Sequence, residues 1–84
     1  MIILWDEPKR LANIKKHGLD FLSVTFDVLM NARRARPVSD GRFALIGKLE
    51  SGRIVAMIVK PLGLEAVSII SLRPANKKER ACYD

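Results

Sequence analysis

The chain has a single cysteine, Cys82, so no intrachain disulfide can form, which suits a reducing compartment. It also has a single histidine, His17, far from Cys82 in sequence, and the two do not make a zinc ligand set. There is no Walker loop and no dinucleotide-binding fingerprint, so no nucleotide cofactor is expected, nor any other. No apolar run approaches the ~20 residues that a membrane helix needs. The start, Met1 to Leu4, is too short for a signal peptide and is followed at once by Asp6 and Glu7. The expectation is a cytoplasmic protein with no membrane contact and no metal. Repeats, low-complexity tracts and linkers are also missing, so residues 1–84 read as one domain. A domain this small buries roughly 60% of its unfolded surface. Function is then expected on a surface, a shallow groove or an interface rather than in a deep cavity.

Positive charge is what the chain has in excess. Fifteen lysines and arginines stand against nine acidic residues, for a formal charge of +6. Such an excess points to a polyanionic partner, either nucleic acid or an acidic protein, although a soluble basic surface has the same composition.

Ile2 to Leu4 read as a short buried strand ending at Trp5. Asp6 can cap a helix whose first turn tolerates Pro8 and whose apolar stripe includes Leu11 and Ile14. That helix is expected to run to about His17 and stop at Gly18. Asp20 predicts the cap of a second helix over Phe21 to Met30, apolar nearly all round and so well buried. Asn31 to Pro37, with Arg33, Arg34 and Arg36, reads as an edge strand or a loose basic loop. Asp40-Gly41 marks a turn.

Phe43 to Glu50 and Arg53 to Lys60 read as strands joined at Ser51-Gly52. A two-residue loop there pairs Glu50 with Arg53, Lys48 with Val55 and Gly47 with Ala56. Alternation then gathers Lys48, Glu50, Arg53, Val55 and Met57 on one face. Phe43, Leu45, Gly47, Leu49, Ile54, Ala56 and Ile58 form the other, more apolar face, which should receive the helices. Gly47 and Ala56 leave room there for close packing. Pro61 to Glu65 form a turn, and Val67 to Leu72 a central strand. A last helix spans about Ala75 to Tyr83, with Asn76 and Glu79 at capping-box spacing. The fold class expected is α+β, with an antiparallel sheet of three to four strands, two N-terminal helices, one C-terminal helix and one open face.

Three segments together resemble the BrnT toxin family. They are Trp5 to Lys9 with Asn13-Ile14, Lys16-His17-Gly18 and Phe21; Arg42-Phe43 through Ile46-Gly47 with Gly52-Arg53; and Ile69 to Ser71 with Arg73, Ala75, Glu79-Arg80 and Tyr83. The stretch from Asn31 to Asp40 departs from the family pattern. So does Ser68, where many relatives carry an arginine. The resemblance implies a RelE-like ribonuclease fold and toxin activity on RNA, inhibiting translation. It also implies a cognate BrnA-like antitoxin, with operator DNA bound only through the toxin–antitoxin complex.

Metal-independent RNA cleavage needs a group to take the 2′-hydroxyl proton, cations on the phosphoryl oxygens and a proton for the leaving oxygen. Arg53, with Lys48 on the same predicted face, and Arg73 are candidates for charge stabilisation; ion pairs with Glu50 or another carboxylate are their structural alternatives. His17 has a near-neutral reference pKa, yet it also suits a helix C-terminus. Arg80 and Tyr83 can complete a site from the last helix, Tyr83 by donating a proton or stacking on a base, or it can simply anchor that helix. Lys48, Arg33, Arg34 and Arg36 are candidate phosphate contacts without sequence preference. The other class of function is a non-catalytic basic module that binds an antitoxin-like protein or RNA. Direct DNA binding lacks a recognition-helix pattern.

Overall fold

The computed structural model describes residues 1–83. Its elements are β1 (Ile2–Trp5), α1 (Glu7–His17), a 3₁₀ turn (Phe21–Ser23), α2 (Phe26–Met30), β2 (Arg33–Val38), β3 (Arg42–Lys48), β4 (Ile54–Leu62), β5 (Ala66–Pro74) and α3 (Lys77–Tyr83). The five strands form one mixed sheet in the order β1-β5-β4-β3-β2. β1 runs parallel to β5 and every other neighbour is antiparallel. An all-antiparallel sheet of three to four strands was therefore too simple an expectation. β1 and β5 are not joined by a turn, and the long helix-containing stretch between them permits a parallel pair.

α1 starts and stops as its sequence dictates. The Asp6 side chain accepts from the Lys9 N–H at 3.3 Å, and Gly18 closes the helix at φ 70° with its N–H on the Ile14 carbonyl at 2.7 Å. The expected second helix is divided instead. Asp20 caps only the 3₁₀ turn, and Thr25 caps α2 by accepting from the Val28 N–H. Phe21, Val24 and Val28 are buried as expected, but Leu22, Phe26 and Met30 are largely exposed, so the segment is not buried all round.

The β3–β4 connection corrects the hairpin register. Leu49 and Arg53 pair through the Leu49 N–H, and Glu50-Ser51-Gly52 form a three-residue loop with Gly52 at φ 92°. Such loops place a left-handed residue last, a position glycine fills without a Cβ clash. Lys48 therefore opposes Ile54, and Gly47 opposes Val55. The one-residue change flips β4, because alternation has a period of two. Val55, Met57 and Val59 now share a face with Phe43, Leu45 and Gly47, while Ile54, Ala56 and Ile58 join Lys48 on the other.

The first face carries the main core, where Phe21, Val24 and Val28 meet Leu49, Val55, Met57, Ile69 and Leu72. Gly47 lies under α2, and a Cβ there would stand 2.7 Å from Met57 Cε and 3.2 Å from Val28 Cγ1. Asn13 ties α1 to β5 from the inside. Its side chain donates to the Leu19 and Leu72 carbonyls and accepts from the Leu72 N–H, at 2.8–3.1 Å. The opposite face is not open. α3 lies across β2, β3 and β4 there, over buried Ala44, Ile46 and Ala56.

Candidate nucleic-acid interface

α3 is fastened before it contributes anything to a site. Asn76 and Glu79 form the expected capping box: the Asn76 side chain accepts from the Glu79 N–H at 2.8 Å, and Glu79 accepts from the Asn76 N–H at 2.9 Å. The same carboxylate grips Arg73 through two hydrogen bonds of 2.7 and 2.8 Å. Arg73 projects from β5 opposite Ala56, on the face that α3 covers. The Arg73 hydrogen bonds hold the Glu79 carboxyl down to about 2 against the cost of burial, with help from the Asn76 N–H and the charges of Arg73 and Arg36. The Glu79 hydrogen bond in turn raises Arg73 further above its ordinary value. Arg80 donates to the Ala75 carbonyl at 2.8 Å, inside its own segment. Arg73 and Arg80 are thus both bound within the α3 junction.

The far end of α3 borders a groove of about 430 Å³. Arg33 at the start of β2, Lys48 at the end of β3 and Tyr83 at the end of α3 line it, together with Asp27, Asn31 and Glu50. Arg33 opposes Ile46 across the β2–β3 pair, and Lys48 lies two residues beyond Ile46, so both cations belong to the α3 face. The Arg33 guanidinium lies 5.8 Å from the centre of the Tyr83 ring. Arg33, Lys48 and Glu50 are exposed, and among the described residues no ion pair joins Glu50 to Arg53. The groove thus holds two exposed cations, two exposed carboxylates and a half-buried phenol.

The other candidates divide by face. Arg36 opposes Ala44 and shares the α3 face, whereas Arg34 stacks on the Phe43 ring at 4.7 Å on the opposite face. Arg53 pairs with Leu49 and so leaves the face of Lys48, which corrects the shared face expected for them. His17 ends α1, on the helix-covered side that packs against β5.

Two residues on the α3 face were not singled out from sequence. Arg42 precedes Ala44 by one alternation step, and its Nε is buried without a hydrogen-bond partner. Lys60 is the cross-strand partner of Ser68. Strand alternation from Lys48 back to Arg42 was the available signal for the first. The true hairpin register was needed for the second. For Asp27 and Asn31 the sequence carried no signal. Among the described residues, no group of three or more His, Cys, Asp or Glu side chains is placed to hold a metal ion.

The family model for the BrnT ribonuclease toxin of type II toxin–antitoxin systems matches residues 5–79. The chain belongs to the BrnT family. The crystal structure of the Brucella abortus ribonuclease toxin BrnT is similar along nearly its whole length, with 45% identity and a TM-score of 0.82. The match covers 92% of this chain and 99% of that one. A comparison with curated proteins gave no match. Membership in the BrnT family implies ribonuclease activity, an RNA substrate and a cognate antitoxin. No helix among the described residues is long and apolar enough to cross a membrane.

Proposed function

We propose that the protein cleaves RNA without a metal ion, inhibits translation by doing so, and is neutralised by a cognate DNA-binding antitoxin of the BrnA kind. The observation that carries this reading is the convergence of Arg33, Lys48 and Tyr83 on one solvent-open groove of a BrnT-family chain. In the proposed reaction the ribose 2′-oxygen attacks its own 3′-phosphate in line. A groove carboxylate, Glu50 or Asp27, takes the 2′-hydroxyl proton. Arg33 and Lys48 stabilise the charge gathering on the phosphoryl oxygens. The bond to the 5′-oxygen breaks, Tyr83 supplies that oxygen's proton, and a 2′,3′-cyclic phosphate remains.

Arg36 and Arg42 extend the cationic face and serve flanking phosphates, where positioning needs no base recognition. Arg73 and Arg80 act as positioning residues, because they hold α3 and therefore Tyr83. Arg34, Arg53 and His17 lie off this face and receive no chemical role. The occupation of Arg73 by Glu79 favours a second reading, in which the basic face binds RNA or a partner protein without cutting. The purified protein, given RNA in EDTA with and without its antitoxin, separates the two. The first reading expects scission that survives EDTA and stops with antitoxin. Salt-sensitive binding with intact RNA supports the second.

A further inference from the structure

The main-core face is not fully covered. α2 spans five residues, about 7.5 Å, while β3 beneath it spans seven, about 23 Å. Beyond α2 the sheet leaves an apolar groove of about 270 Å³ between Leu29, Phe43, Val59 and the β4–β5 turn. Leu64 at that turn is fully exposed. Among the described residues, Arg34 is the one charged side chain lining the groove, held flat over Phe43 at 4.7 Å and joined to no carboxylate.

We infer that this groove is the docking site of the antitoxin, and that it takes an amphipathic helical segment with two apolar anchors about one turn apart and an acidic residue facing Arg34. The inference rests on the toxin reading, because it gives the implied antitoxin its place. Charge selects the occupant. A second copy of this chain would bring a net +6 surface against the arginine-bearing β2 edge, whereas an acidic segment meets Arg34 with opposite charge. The groove lies on the opposite side of the sheet from Arg33, Lys48 and Tyr83. Docking there leaves the RNA groove physically separate from the anchor, so the two can be disabled independently.

The test measures antitoxin affinity by calorimetry for the wild-type chain, Leu64→Glu and Arg34→Glu, with RNA scission by the free proteins as a separate readout. Both side chains are exposed, so folding is retained, and circular dichroism checks it. The expected result is at least tenfold weaker binding for each variant, with scission by free Leu64→Glu unchanged. Restored binding when Arg34→Glu meets an antitoxin whose facing acid is changed to lysine completes the case. Wild-type affinity in both variants overturns the inference while leaving the ribonuclease reading intact. Self-association of the wild-type chain that Leu64→Glu abolishes, with antitoxin affinity unchanged, overturns it in favour of a second copy. A wild-type chain that neither cuts RNA nor binds the antitoxin overturns both readings together.

Discussion

Asn13 shows how one polar side chain decides the junction of helix and sheet. It is buried and makes three hydrogen bonds, two of them to the backbone of Leu72. Asn13→Leu leaves the Leu72 N–H and two carbonyls without partners in the core. A loss of about 3 kcal/mol is expected in chemical denaturation, given about 1–3 kcal/mol for unsatisfied buried groups. Asn13→Asp is expected to be worse, because a carboxylate would face two carbonyl oxygens. Glu79 fastens α3 to β5 in a comparable way. Its carboxyl is held at about 2, below the ordinary carboxylate range, so its clamp on Arg73 is complete above that range and fades as pH falls toward 2. Glu79→Gln should therefore cost stability at neutral pH, about 1 kcal/mol because the pair is partly solvated. The gap from wild type should close through that acid window, as followed by denaturation at stepped pH.

At the scale of elements, Gly47 sets how closely α2 approaches the sheet. Gly47→Ala must push Met57 and Val28, and about 1–3 kcal/mol of overpacking is expected in thermal unfolding. Gly47→Val should cost more. A Gly47→Ala protein as stable as wild type would show that α2 sits less tightly than described. The caps at Asp6 and Gly18 and the Asn76–Glu79 box were legible in the sequence, because each depends on residues within one turn, and Gly47 was legible as a point of close approach because it has no side chain. The β4 face was not legible. A loop of two residues and a loop of three are both compatible with Ser51-Gly52, and only tertiary packing of Val55 and Met57 against Phe21 and Val28 selects between them. The same choice moved Arg53 away from Lys48. The partners of Arg73 were open for a related reason: the capping box placed Glu79 in its helix, but not across from a β5 side chain.

For the whole molecule, the cations of β2 and β3 are divided between the two faces of the sheet. Arg33, Arg36, Arg42 and Lys48 occupy the α3 side, while Arg34 guards an apolar groove on the other. Composition reported the excess, but only the sheet register could divide it. RNA affinity should fall steeply with salt, and each removed phosphate contact should flatten the single-strand slope by about 0.7. Arg36→Ala is expected to show that change in a filter-binding titration, whereas an unchanged slope would place Arg36 outside the RNA path.

The proposed function puts RNA cleavage in the groove at the end of α3. Its most direct test is the rate of RNA scission in EDTA by the folded wild-type chain and by Arg33→Ala, Lys48→Ala, Tyr83→Phe, Arg53→Ala and His17→Ala. Losses of about 100-fold in the first three are predicted, the size expected when a charge-stabilising donor or a proton donor is removed. Wild-type rates in those three, with loss in Arg53→Ala or His17→Ala, would contradict it and move the chemistry to the other side of the sheet.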